Sequence, residues 1–586
     1  MKTIHQIPFA ALGMGAAFTV LWGVADPVAA FAEVRTYTGV GKCAMGDLVS
    51  PEQAKNYARE MALQNAREQA GVYLTSYTRT TNTKLSAKEI TAISNNITEL
   101  VGEVKYTQTP TEADGVPVVV YTATLSANVD TDGIKTYLER GEEERITIVS
   151  QSEQAQKDIA GSLEKIERLN EAYNKAQSEA EKEKIRSEFA EADRHLLAEQ
   201  KNSEGLDLLY KKDYSGAIEL FRQAIDLDSR YNSPWNNMGF AYDKLGQYDK
   251  AIEYYRKAID INPKAAPPWN NLGGSYKDKG DYGKAMECYQ KAIEIDPKYA
   301  TPWNNMGNVH QDLGKYNEAI EYYQKAISLD PDFAKPWSNM GSAYNDLGQY
   351  EKAMECCRKA IEIDPKFAYP WNNMGESYRQ LGDDQKALEY YRKAIELDKD
   401  LPNPWNNMGF IYEKLGSHDK AMECYQKALE LAPDDAVYWE NMADVYEEMG
   451  NHAKALEGYR RAVELNPKKA RTWNQMGLAY SNSDNDNKAI ECFRKAVELA
   501  PDDAVYWHNL GDAYAVLKNH EKALECFQRV VKLRPEEAGD WNQIGMAHYY
   551  LGNYKKAVEA FQKAVQLEPG DKTYRENLAA AEEALS

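Results

Sequence analysis

The chain has 586 residues, a formal net charge of −21 and 27% charged residues, with a mean hydropathy of −0.68. That length exceeds what one hydrophobic core organises and predicts several structural units. The excess of carboxylates excludes a nucleic-acid partner, because phosphate binding needs a basic face, and excludes an electrostatic hold on anionic lipid.

The first element in chain order is a targeting segment. Lys2 supplies a positive start, an apolar run extends from Phe9 to Ala25, Asp26-Pro27 breaks it, and Ala30-Phe31-Ala32 is a small-x-small cleavage site. The pattern predicts an export signal peptide over residues 1–32. Contact with a membrane is expected only through this segment, if it stays uncleaved; its apolar run is short for a spanning helix. Cys43 follows Lys42, which does not suit lipoprotein processing.

Residues 33–140 read as a small α+β domain. Val34–Thr38 alternates like a strand. A helix opens at Ser50-Pro51, with Ser as cap and Pro in the first turn. Ala54, Ala58, Ala62, Ala66 and Ala70 form a small-residue stripe on it, which Gly71 is expected to end. A second helix is expected over 87–100. Strands follow at Glu103–Thr109 and Val116–Val129, joined at the hairpin signal Asp114-Gly115. The run from "AGVYLTSYT" through "NNITELVGEVKY" to "VVVYTATLSANVD" resembles the N-terminal domain of flagellar assembly protein T and related envelope lipoproteins. The resemblance implies a Gram-negative-type cell envelope and work within complexes, and supplies no catalytic residue. With the signal segment it sets the expected location as periplasm or cell envelope, with secretion open.

Residues 141–197 are charge-rich. Ile159, Leu163, Ile166, Leu169, Tyr173 and Ala176 recur at helical spacing. They predict a helical spacer, either a hairpin or coiled coil or, as the preferred reading, a solvated linker.

From Ala198 to Asp571 the chain is 11 units of 34 residues, a period that signals a solenoid. Numbering places within each unit, Trp holds place 4 in ten units, from Trp235 to Trp541. Gly holds place 8 in ten, with Ala443 the exception, and Ala holds place 20 in all. Places 4, 7, 8 and 11 share one helix face. Places 20, 24 and 27 share a face of the next helix. The small residues allow close approach, and stacking of units supplies the core. The tryptophans are read as core residues. Tyr574, Leu578, Ala581 and Leu585 predict a capping helix over 572–586. This pattern resembles the tetratricopeptide repeat. The expected fold is therefore mainly α: a right-handed α-solenoid of about 11 such repeats behind a small α+β domain and a helical spacer.

Place 6 lies on the far side of the first helix, with places 2, 9 and 13. The resemblance puts that side on a concave groove. Place 6 reads Asn237, Asn271, Asn305, Asn339, Asn373, Asn407, Asn441, Gln475, Asn509 and Gln543, every one a carboxamide, whereas place 9 varies freely. Each Asn forfeits about 0.5 kcal/mol of helix propensity against Ala. A carboxamide donates and accepts at once, which suits a peptide bond. These ten are the candidate ligand-binding residues for extended peptide or protein segments, one contact per unit. The place-5 asparagines (Asn236, Asn270, Asn304, Asn372, Asn406, Asn474 and Asn542) are read as packing residues. The ladder and the phrases "WNNMG" and "AMECYQKA" resemble the repeat region of O-GlcNAc transferases, which implies a groove and no glycosyl transfer. Lys335, Arg379 and Arg471 are isolated cations on or near the groove face.

The eight histidines make no HExxH pair, and no GxSxG, phosphate-binding or dinucleotide fingerprint occurs. Of the seven cysteines, Cys288, Cys356, Cys424, Cys492 and Cys526 share one repeat place, expected ~10 Å apart on neighbouring repeats and so too far for disulfides. Cys357 follows Cys356 and Cys43 stands alone; none has zinc spacing, and free thiols are expected. The reading is a non-enzymatic scaffold without cofactor or metal, its partners being proteins or peptides of the cell envelope. The alternative is a structural component of an envelope assembly, flagellar, pilus or secretory, recruited through its N-terminal domain.

Overall fold

Strand β1 (Thr36–Met45) lies beside β3 (Val116–Val129), and β3 beside β2 (Thr98–Ala113), all antiparallel. This computed structural model describes residues 36–45, 48–81, 98–113, 116–129 and 142–586. The signal segment and most of the helix expected over 87–100 lie outside them. The end of that expected helix, Thr98–Leu100, is instead strand: these residues pair with Val129, Asn128 and Ala127 of β3, and tertiary pairing overrides local propensity. Ala113 stands opposite Val116, and the hairpin signal Asp114-Gly115 itself lies outside the described residues.

Helix α1 (Pro51–Thr81) begins with a reciprocal cap. The Gln53 N–H donates to Ser50 Oγ at 3.2 Å and the Ser50 N–H to Gln53 Oε1 at 3.0 Å. Gly71 does not end this helix, which continues to Thr81. Ala58, Ala62 and Ala66 are fully buried against Ala123 and Leu125 of β3, so the small-residue stripe lets helix and sheet approach closely.

The solvated-spacer reading is corrected. Helices α2 (Glu142–Lys175) and α3 (Glu179–Tyr210) form a hairpin whose Ile159, Leu163, Ile166, Phe189, Ala192 and Leu196 share one core with Val49, Ala54, Tyr57 and Tyr121. The apolar face seen in the sequence has a partner, the α+β domain itself. Tyr57 Oη and Gln53 Nε2 both donate to Asp193, at 2.5 and 2.8 Å. Helix α3 also runs straight through the boundary expected at Ala198, so its second half is the first helix of repeat 1.

The chain divides between Asn305 and Met306 into two compact units. The first holds the α+β domain, the hairpin and the early repeats; the second holds the later repeats. In both, each repeat is a helix pair, as in Asn232–Lys244 with Tyr248–Ile261 or Pro402–Lys414 with His418–Leu431. The place-8 glycines permit the close approach. A methyl on Gly239 would sit 2.7 Å from the Tyr255 ring, and one on Gly409 2.6 Å from the Tyr425 ring. Repeat 8 shows the compensation. Its Ala443 is accommodated by Gly458, where an added Cβ would lie 2.9 Å from the Ala443 methyl.

The tryptophans are half-buried rather than sealed in the core. Their rings pack against it, and in seven of them Nε1–H donates to a loop carbonyl six residues back, as from Trp439 to Pro433 and from Trp507 to Pro501, each at 2.8 Å. Cys288, Cys356, Cys357, Cys424, Cys492 and Cys526 are free and buried; burial pushes the Cys288 and Cys356 thiols up to about 12. The capping helix Lys572–Leu585 packs Leu578 and Ala581 against Phe561, but Leu585 is exposed.

Candidate protein-binding groove

Helix 402–414 shows how the chain builds the candidate face. Met408, Gly409 and Ile411 are buried against neighbouring helices, and the opposite side presents Asn403, Phe410 and Lys414 to solvent. Asn407 lies between, half-buried. Of the ten predicted carboxamides, Asn237 and Asn305 are buried, and Asn271, Asn339, Asn373, Asn407, Asn441, Gln475, Asn509 and Gln543 are half-buried.

Their partners reveal a second set of residues. In the first unit Asn305 Nδ2 donates to Asn270 Oδ1 at 3.1 Å, Asn271 to Asn236 at 3.2 Å, and Asn237 to Asn202 at 2.9 Å. Each place-6 amide thus donates to the place-5 carbonyl oxygen of the repeat before it. The place-5 amide makes a longer contact to its own neighbour, 3.4 Å for both Asn270–Asn271 and Asn236–Asn237. The chain of donors ends where Asn202 reaches Tyr231 Oη at 3.4 Å and Tyr231 donates to Asp158 of α2 at 2.8 Å. In the second unit Asn441 donates to Asn406 at 2.9 Å, Asn407 to Asn372 at 3.2 Å, and Asn373 to the Ser338 carbonyl at 3.1 Å. Asn509 donates to Asn474 at 2.8 Å. Asn339 and Gln543 use place 9 instead, donating to Asn308 at 2.9 Å and Asp512 at 3.3 Å.

The place-5 asparagines therefore bond as well as pack. Sequence reasoning missed Asn202 and Asn577, which extend the series into α3 and into the cap, where Asn577 donates to Asn542 at 2.8 Å. The available signal was the 34-residue register carried one unit beyond the tryptophans.

Place 5 lacks an amide in three repeats: Ser338 stands in one, and in the other two a charged or titratable side chain, Glu440 or His508, replaces it. Glu440, fully buried, takes Thr472 Oγ1 at 2.7 Å, Lys469 Nζ at 2.8 Å and the Arg471 guanidinium. His508 holds Asp540 at 3.0 Å through Nδ1 and Asp512 at 3.3 Å through Nε2, while Arg534 Nε lies 2.6 Å from Asp540. Hydrogen bonds that the His508 ring donates to Asp512 and Asp540 raise its pKa from 6.5 to about 9. A raised imidazole pKa adds stability fully present below about pH 6.5 and lost as pH rises through about 9. Thermal melts of the chain and of its His508→Asn variant should therefore converge between those limits; a gap that widens with pH would contradict the assignment.

Among the described residues, no group of three or more His, Cys, Asp or Glu side chains is placed to hold a metal ion, and no helix is long and apolar enough to cross a membrane. What remains is hydrogen-bonding capacity. A carboxamide has two N–H donors and two acceptor lone pairs. Asn271, Asn407 and Asn441 each spend one donor on the preceding repeat.

No curated protein matches the chain. Among the solved structures that resemble it, the APC/C hetero-tetramer Cut9–Hcn1 is 15% identical over 66% of this chain and 96% of that one, with a TM-score of 0.35. MamA is 27% identical over 28% of this chain and 96% of its own, with a TM-score of 0.25. Family models described as TPR repeat match residues 205–246, 273–314 and 375–416. Models described as tetratricopeptide repeat match 233–265, 300–333, 334–367, 356–389, 400–536 and 510–586. With the 34-residue register, the paired helices and the glycine–aromatic contact in agreement, the chain belongs to the tetratricopeptide repeat family.

Proposed function

We propose that this protein is an exported scaffold of the bacterial cell envelope that captures segments of other proteins along its carboxamide-lined face. The observation that carries the reading is the amide series. Asn271, Asn407 and Asn441 are each fixed by one N–H donated to the preceding repeat, and a carboxamide has a second N–H and a second acceptor lone pair to offer. Fixed amides lose little entropy on binding, and each contact is worth about 1 kcal/mol. Affinity then comes from number, one contact per repeat. The sequence supports export through the pattern of residues 1–32 and an envelope setting through the resemblance of the N-terminal domain.

The test is capture from an envelope extract by the intact chain and by a variant with Asn305, Asn339, Asn373 and Asn407 all changed to Ala. The variant should keep its helical circular dichroism spectrum, melt a few degrees lower because neighbouring amides lose partners, and recover its partners at least tenfold less well. Equal recovery would end the reading. A second reading, an assembly component recruited through residues 33–140, draws support from the edge strand β2, whose side chains from Lys105 to Pro110 are exposed. The same capture with Thr107→Glu and Thr109→Glu tells the two apart. Loss there, with the amide variant unimpaired, selects assembly.

A further inference from the structure

Repeat 1 inverts the usual burial of its first helix. Its groove places, Glu199, Ser203, Leu206 and Tyr210, are all buried, whereas Lys201 and Glu204, at the places of Trp and Met, are open to solvent in part or in full. Helices α1 and α2 cover that face. Gln156 of α2 donates to Ser203 Oγ at 3.4 Å and accepts from Arg67 of α1 at 3.3 Å. Helix α2 also packs against helix 232–244 of repeat 2. There the place-6 Asn237 is buried and the place-9 Phe240 is only 7% exposed. The chain thus lays one of its own amphipathic helices along the groove places of two repeats.

The same places in the second unit are uncovered. Phe410, the place-9 counterpart of Phe240, is 43% exposed. Tyr369 and Val437, at place 2 of the flanking repeats, are exposed too. Places 2 and 9 are seven residues apart, about 10.5 Å along a helix, close to the ~10 Å diameter of a helix laid between them. The adjoining surface is acidic. Glu413, Asp444, Glu447 and Glu448 occupy places 9, 12 and 13 of repeats 7 and 8. Burial lifts the Glu413 carboxyl above the usual range; Tyr425 Oη, donating at 2.6 Å, and Arg471 oppose this, while Asp444 and Glu448 add to it. The nearby cations are already engaged: Arg379 with Glu376 and over the Phe410 ring, Lys414 with Asp384, Arg471 with Glu440 and Asp444, His452 with Glu447, and His418 near Glu448.

We propose that the face around Phe410, Tyr369 and Val437 receives an amphipathic helix of a partner protein, apolar on one side and rich in Lys or Arg on its flank, in the mode in which α2 occupies repeats 1 and 2. This rests on the capture reading and gives its partner a class: a basic helix, not an extended strand, at repeats 6 to 8. Exposed apolar side chains supply the contact, and Glu413, Glu447 and Glu448, which no Lys or Arg pairs among the described residues, select the charge of the flank.

The probe is a synthetic copy of residues 151–175 of α2 in which Glu164, Glu167 and Glu171, exposed in the parent helix, become Lys. Labelled, it should bind the intact chain. Phe410→Ser should weaken it at least tenfold, Glu413→Gln several-fold, and the unaltered acidic copy should bind at least tenfold less well. Indifference to Phe410→Ser, equal binding of the acidic copy, or no binding at all would overturn the proposal. A copy carrying Ile159→Pro and Ile166→Pro cannot form the helix. If that copy binds as well, and its binding needs Asn373 and Asn407, the helix proposal falls while capture by the amide series stands. Circular dichroism of each variant guards against loss of fold.

Discussion

Gly409→Ala is expected to destabilise the repeats by about 1–3 kcal/mol, the usual cost of overpacking a tight core, and Cys424→Gly is expected to return part of that loss. The new methyl would lie 2.6 Å from the buried Tyr425 ring, which has nowhere to retreat. Repeat 8 has already made the paired change: Ala443 stands at place 8, and Gly458 stands at the place Cys424 holds in repeat 7. Alone, Cys424→Gly should cost about 1 kcal/mol or more through helix propensity and a lost buried side chain. Together the two should cost less than their sum, with a coupling of about 1 kcal/mol in a double-mutant cycle read by denaturant melts. Additive losses would mean that Gly458 does not accommodate Ala443.

Leu163→Asp should have the larger effect, at least about 3 kcal/mol, because it removes a buried side chain and places a carboxylate in the core shared by α1, α2, α3 and the sheet. The loss should stay local. Repeats contact chiefly their neighbours, so later ones keep their stability when the first is disturbed. Limited proteolysis should cut the variant within residues 48–197 while leaving the fragment from repeat 3 onward intact. The face of repeat 2 around Phe240, now covered, should open with it. A variant that melts in one transition at the parent temperature would show that α2 does not depend on that core.

The repeats were legible because their physics is local and periodic. Trp, Gly, Tyr and Ala recur at 34-residue intervals, and each element's partner is the next element along the chain. The boundary of α1 was only half legible. Ser50 and Gln53 announce its start, but Gly71, a helix weakener by propensity, gave no true stop. The apolar stripe of α2 was also visible, yet nothing in its own residues names the surface it covers.

By itself the sequence determined the repeat, the paired helices, the glycine–aromatic contact and the uniform row of carboxamides, since each follows from neighbours a fixed distance along the chain. Only the tertiary structure decided what the amides bond to and where α2 lies. The place-6 residues reach oxygens 35 residues away, as Asn407 does at Asn372. The α2 helix covers a face whose residues are distant in sequence and, in repeat 1, changed from polar and open to packed and closed. Long-range contacts of this kind depend on which surfaces meet in space, and no period in the chain records that.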